Sequence, residues 1–217
     1  MSNEKAQGQV LEFGAAVLKA LPRSIDANVM QGWIENPKNL QDVLKKVLCP
    51  FENNDWREES GVIYFSVTSD GTSGQDWIKR FESNGFQVSD WAKSILHSLD
   101  FKPTLGVTTE IAIIKGGLFS DSERTTRKIC LEAERRNLSK PNAEVACLIR
   151  EKFSDKEIKA MGLWWIVTMH EPIKDSGGDP RLLHVVRGAH WVGARYGGPD
   201  VGWAHDDGFA FVVSQVS

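Results

Sequence analysis

The chain predicts an α+β fold, a mixed or antiparallel sheet with helices, preceded by a small helical module, and three observations carry that reading. Strand-like runs rich in β-branched and aromatic residues alternate irregularly with amphipathic helical segments, without the strict strand-helix order of a doubly wound sheet. Residues 8 to 48 show helical periodicity only. Pro50 and the polar run from Glu52 to Ser60 then break the pattern, which divides the chain into a helical module over residues 1–58 and an α+β domain over 59–217. A length of 217 residues, 41% hydrophobic and 25% charged, suits one main core with a small appendage.

In the module, Val10, Phe13, Ala16, Val17 and Leu21 recur at helical spacing. A second helix is expected with Asn36 as cap and Pro37 in its first turn, where proline's missing N–H costs nothing, followed by Leu40, Val43, Leu44 and Val47 on one face. The main domain opens on the strand Val62 to Val67. A turn, Ser69 to Gly74, leads to two short helices carrying Trp77, Ile78 and Phe81, then Trp91, Ile95, Leu96 and Leu99, with Asn84-Gly85 as the stop between them. Thr108 to Ile114 reads as a strand. Ser120-x-x-Glu123 has the capping-box spacing and predicts a charged helix over 121–136. Helices are expected over 143–152 and 154–161, the latter opened by Ser154-x-x-Glu157 and closed by Gly162. Leu163 to Met169 is the most hydrophobic strand candidate and should lie centrally. Leu182 to Val186 and Phe209 to Val213 are the closing strands, and the glycine-rich stretch from Arg187 to Gly208 between them reads as irregular.

A formal charge of -3 leaves no excess of cations to neutralise phosphates, so nucleic-acid and membrane-surface partners are not expected. Cys49, Cys130 and Cys147 form no Cys-x-x-Cys pair and read as reduced thiols. The first residues lack the basic and apolar regions of a secretion signal, and no apolar run approaches the ~20 residues of a spanning helix. Together these features predict a cytoplasmic protein.

Several segments suggest chemistry. Asp70 to Gly74, between strand and helix, could cradle a phosphate, but no Lys-Ser/Thr follows, and Thr72-x-x-Gln75 reads more simply as a helix cap. His170-Glu171 lacks a second histidine at helical spacing, and Pro172 forbids a continuing helix, so no zinc-protease face can form. A hydrolase or metal-dependent enzyme would draw on His170, Glu171, His184, His190, His205 and Asp206. Their spacings match no known ligand pattern, so neither metal nor cofactor is expected.

The tail is the informative region. From Arg181 to Gly208 it contains no Lys, Glu, Gln or Met, and instead combines His, Arg, Tyr, Trp, Gly, Ala, Val and Asp between two apolar strands. Aromatic anchors, small residues and a few polar contacts are what loop-built recognition surfaces use.

Val185-Val186-Arg187-Gly188-Ala189-His190-Trp191, Gly198-Pro199-Asp200 and Gly208-Phe209-Ala210-Phe211-Val212 resemble the tail of the variable proteins of diversity-generating retroelements. The chain is also similar to uncharacterised proteins of small uncultured bacteria with such a tail. In that family a strand ends in an Arg-Gly-Gly-Ser-Trp-like motif, a diversified stretch follows, and a strand opened by Gly-Phe closes a C-type-lectin-like domain of the formylglycine-generating-enzyme type. Ala189-His190 departs from the motif's Gly-Ser, Ala210 from the Arg common after Gly-Phe, and residues 1–160 carry no family motif.

The resemblance implies a C-type-lectin-like, non-catalytic binding protein that takes a protein or other macromolecular ligand, with a variable region over about 182–208. The helical module's apolar faces need cover from each other, from the main domain or from a docked partner. The resemblance also gives the missing residue types a cause. Diversification replaces adenines, chiefly in Asn codons ending in a pyrimidine, and such codons never become Lys, Glu, Gln or Met. The implied variable, ligand-contacting positions are His184, Val186, Gly188, Ala189, His190, Gly193, Arg195, Gly198, Val201, Gly202, Ala204, His205 and Asp207. Trp191, Tyr196, Pro199, Asp200, Trp203, Gly208 and Phe209 are implied as scaffold.

Overall fold

The computed structural model describes residues 12, 16, 19, 24, 26–38, 40, 44, 56–188 and 191–214. Val10, Phe13, Val17, Leu21, Val43, Val47, Cys49, Ala189 and His190, all singled out above, lie outside the described residues. Two compact units divide the chain, residues 1–53 and 54–217.

In the first unit, α1 (Ala27–Glu35) is opened by Asp26, whose carboxylate accepts from the Asn28 and Val29 amides. Asn36 stands between that helix and the helical residues Pro37 and Lys38, as the cap-and-proline pattern predicts.

The second unit is α+β. Among its described residues a ten-stranded sheet runs β1-β2-β4-β10-β6-β8-β9-β3, with β5 beside β10 and β7 beside β8. The strands are β1 (Arg57–Glu59), β2 (Val62–Asp70), β3 (Gln87–Val88), β4 (Leu105–Lys115), β5 (Leu138–Ser139), β6 (Trp165–Thr168), β7 (Ile173–Lys174), β8 (Pro180–Val186), β9 (Trp191–Tyr196) and β10 (Asp207–Val213). Pairing is mostly antiparallel, and β10 with β6 and β3 with β9 are the parallel pairs. Because β1 pairs with β2, residues 57 and 58 belong to this unit although they fall before the boundary the polar run suggested.

The helices α2 (Gly74–Ser83), α3 (Asp90–Leu96), α5 (Val145–Lys152) and α6 (Asp155–Ala160) pack on one sheet face. There Trp77, Phe81, Ile95, Ile149 and Ile158 meet Ile63, Phe65, Ile111, Ile113, Leu183, Val185 and Val192. On the other face α4 (Thr126–Arg135) sets Ile129 and Ala133 against Val62, Ile114, Val167, Phe209 and Phe211. β10 and β6 are therefore covered on both sides, which is why each reads as a continuous apolar run.

Local signals held where the partners are local. Ser154 and Glu157 form the reciprocal capping box of α6, and Asn84-Gly85 ends α2. The cap expected at Thr72 is corrected: Ser73 caps α2 by accepting from the Asp76 amide, because the Thr72 hydroxyl is engaged by Asp70 and Arg80. The expected start of the charged helix is corrected. Ser120 to Glu123 makes a turn, and α4 opens five residues after Asp121, at Thr126. Its first amides are satisfied from far away, Thr126 N–H by the Val201 carbonyl and Arg127 N–H by that of Pro199, and Thr125 makes no side-chain cap. A further correction is β9, which lies inside the stretch read as irregular. Trp91 and Leu99, placed on an apolar face by their spacing, are exposed.

Candidate functional site

The strands β8 and β9 form an antiparallel pair whose register sets His184 opposite Gly193, Leu182 opposite Arg195 and Val186 opposite Trp191. Successive strand side chains alternate between faces. Leu183, Val185, Val192 and Ala194 point into the four-helix core, so His184, Val186, Trp191, Gly193 and Arg195 share the opposite face with Leu182. Four of the thirteen expected variable positions therefore stand together on one face of one strand pair.

On that face the His184 ring stacks on Trp165, with centroids 4.6 Å apart and planes inclined by 17°. The Arg195 guanidinium carbon lies 5.1 Å from the Trp165 ring and 5.5 Å from the Trp203 ring. Burial depresses the His184 pKa to about 4, with Arg195 adding repulsion. Trp165 belongs to the cluster although sequence reading gave it only a strand role. Nothing local signals the contact, which comes from two neighbouring strands.

The segment from Gly197 to Asp206 is tied down mainly through its backbone. Val201 N–H donates to the Gly198 carbonyl, closing a turn with Pro199-Asp200 at its centre. Trp203 N–H donates to the Arg124 carbonyl and its indole N–H to Thr126 Oγ1, at 3.0 Å each. The Arg127 guanidinium pairs with Asp200 at 3.2 Å. Asp207 accepts from the Ala204 amide at 2.8 Å, and burial pushes its carboxyl pKa up.

Burial divides the expected sites. Gly188, Arg195, Gly202, Ala204 and His205 are exposed, and Val186 and Val201 are half-buried. His184, Gly193, Gly198 and Asp207 are buried, against the expectation of a solvent-facing set. Each is held by a particular contact: His184 by Trp165, Gly193 by the His184 ring, Gly198 by the Tyr196 ring, and Asp207 by its turn. Gly188 is exposed but has φ 90°, so a side chain there is strained. Among the scaffold residues, Trp203, Gly208 and Phe209 are buried, whereas Trp191, Tyr196, Pro199 and Asp200 are exposed. Trp191 is 38% exposed, and its indole N–H donates to Gln87.

Gly193 carries a testable consequence. A Cβ there would lie 2.6 Å from His184 Nε2, and the imidazole is confined by Trp165. Gly193→Val should lower stability by about 1–3 kcal/mol through overpacking. Adding His184→Ala should recover part of that loss, because the two side chains contend for one space. Urea denaturation of the single and double variants checks this, and additive losses would show that the positions are independent.

Among the described residues, those of the enzyme alternative are not gathered; His190 lies outside them. His170 and Glu171 follow the C-terminal end of β6, and His205 and Asp206 lie at its N-terminal end, where Trp164 N–H donates to the Asp206 carbonyl. The His170 ring is occupied on both nitrogens: Nδ1 donates to the Glu171 carbonyl at 2.7 Å, and Nε2 accepts from Leu183 N–H at 3.0 Å. It holds the middle of β8 through Leu183, and burial lowers its pKa to about 4. No group of three or more metal-ligating side chains is found among the described residues. The Asp70 to Gly74 loop supplies its own anion, since Asp70 accepts from the Thr72 amide and hydroxyl, and Arg80 is neutralised by Asp70 and Glu151. No helix among the described residues is long and apolar enough to cross a membrane.

No family model, curated protein or solved structure matches this chain.

Proposed function

We propose that the chain is a non-catalytic binding protein of a diversity-generating retroelement. In this reading the second unit is a C-type-lectin-like domain, and its surface from β8 to the start of β10 recognises a protein or other macromolecular ligand in the cytoplasm. The helical module docks a partner, and neither cofactor nor nucleic acid takes part.

One observation carries the reading. The positions implied by the Asn-codon pattern include His184, Val186, Gly193 and Arg195, and these fall with period two on one face of the β8–β9 pair, beside exposed Gly202, Ala204 and His205. A recognition surface needs its adaptable residues side by side on a fixed support. Trp203 and Phe209, buried beneath the tail, supply that support.

Sequencing the DNA around the gene tests the proposal. The expected result is a reverse-transcriptase gene and a near-identical repeat of the tail's coding segment, differing from it at adenines. Flanking DNA with neither feature would contradict the retroelement assignment.

A further inference from the structure

Three successive residues at the end of β8 are fastened through main-chain atoms. The Val186 carbonyl accepts from Arg150 Nη1 at 3.4 Å, Arg187 N–H donates to the Trp164 carbonyl at 3.0 Å, and Gly188 N–H donates to Asp155 Oδ2 at 2.9 Å. Two of these contacts come from one ion pair. Arg150, in the last turn of α5, meets Oδ1 of Asp155, the first residue of α6, at 2.8 Å, and also donates to the Phe153 carbonyl. The pair therefore ties the corner between two helices to the point where the chain leaves β8 for β9.

Stability alone does not account for an arginine there. Arg150 is 1% exposed, its guanidinium carbon lies 5.2 Å from the centre of the Phe86 ring, and its Nε has no hydrogen-bond partner among the described residues. Taking a cation out of water and leaving one of its N–H groups unpaired are both costly, and well-packed apolar side chains in place of a buried ion pair commonly serve stability as well or better. What the pair supplies, and apolar side chains cannot, is hydrogen bonding to chosen atoms. Those atoms belong to the main chain of Val186 and Gly188, two of the expected variable positions. A bond to a carbonyl or an amide does not depend on which side chain the residue carries.

We propose that the Arg150–Asp155 pair is the positioning device of the recognition surface: it holds the exit of β8 by the main chain, so that replacing side chains in the tail leaves the course of β8 and β9 unchanged. The face that carries His184, Gly193 and Arg195 is thus fixed from the helical side of the sheet, through an arginine too buried to meet a ligand itself. The inference rests on the reading of this face as a recognition surface, and its test is separate because it needs no ligand. Intolerance of the exposed tail positions to substitution would remove the surface, whereas a strand pair unaffected by loss of the ion pair removes this role alone.

Val186→Asn is made in the unsubstituted chain and in Arg150→Met/Asp155→Ala, a double variant that leaves neither charge without its partner. Amide hydrogen exchange and amide NMR shifts are read in all four full-length proteins. In the unsubstituted background, Val186→Asn should shift only the signals of residues 185–188 and of Trp165 and Trp191 beside them. In the double variant, Gly188 exchange should rise about tenfold or more, the scale of a lost charge-assisted hydrogen bond, and Val186→Asn should shift signals as far as Gly193 and Arg195. The amides of Phe209 and Phe211 should exchange at the same rates in all four proteins, which a role in overall stability would not allow. Loss of folding in the double variant, or acceleration of Phe209 and Phe211 together with Gly188, would make the pair a general stabiliser and overturn the proposal. Unchanged Gly188 exchange would overturn it too, as would Val186→Asn shifts that reach Arg195 in both backgrounds or in neither.

Discussion

Ending the chain at Gly208 is expected to abolish the cooperative thermal transition of the 54–217 unit. The cut removes Phe209, Ala210 and Phe211, which are at most 2% exposed. It also strips the hydrogen-bonded partner from β4, β5 and β6 at once. Losing a buried phenylalanine alone costs about 3–5 kcal/mol, and two such losses consume most of the roughly 5–15 kcal/mol by which domains are stable. The unpaired edges of β4 and β6 would moreover invite association. Calorimetry of the truncated chain decides the matter, and a transition retained near the original temperature would contradict the central place given to β10.

Acid should destabilise the protein well before its carboxylates titrate. His170 and His184 are both buried and neutral, with pKa values lowered to about 4, chiefly by burial. In the unfolded chain each takes up a proton near pH 6.5, so between about pH 6.5 and 4 the unfolded state binds more protons than the native state. Stability is therefore complete above that window and falls through it, by about 3 kcal/mol per histidine at the lower end. Asp207, raised by burial, opposes the trend, while the lowered pKa values of Asp70 and Asp175 matter only in stronger acid. Urea midpoints at pH 7, 5.5 and 4.5 should fall steadily. His184→Leu should remove about half the slope, and a flat profile for the unsubstituted protein would contradict both buried histidines.

Those two expectations rest on features of unequal legibility. The centrality of β6 and β10 was readable because a strand covered on both faces has no polar alternation to show. The capping box of Ser154 and Glu157 was readable because its partners are three residues apart, whereas the cap of α2 was misplaced by one residue, since Thr72 and Ser73 offer adjacent hydroxyls and that of Thr72 is engaged by Asp70 and Arg80. The start of α4 was not readable, because the carbonyls of Pro199 and Val201 that satisfy its amides are some seventy residues distant in sequence. Nor was β9, whose Gly193-Ala194-Arg195 lacks β-branched residues. It is a strand because the missing side chain at 193 accommodates the ring of His184. In the candidate site, the codon pattern marked positions but not their faces, because β9 was read as irregular, and it could not show that Asp207 and Gly198 serve a turn and ring packing. Exposure of Trp191 was equally hidden, since its partner Gln87 arrives from a parallel strand pair.

The central claim is a tolerant surface on a fixed frame, and paired melting curves test it most directly. One variant replaces Arg195, Gly202, Ala204 and His205 together. All four are exposed, none has positive φ, and a Cβ at Gly202 meets nothing within 4 Å. The other variants are Trp203→Ala and Phe209→Ala, which delete side chains 7% and 0% exposed. The surface variant should melt near the unsubstituted chain, since exposed replacements usually shift stability by about 0.5 kcal/mol or less. The aromatic variants should each lose about 3–5 kcal/mol. A surface variant that unfolds while the aromatic variants melt unchanged would contradict the account.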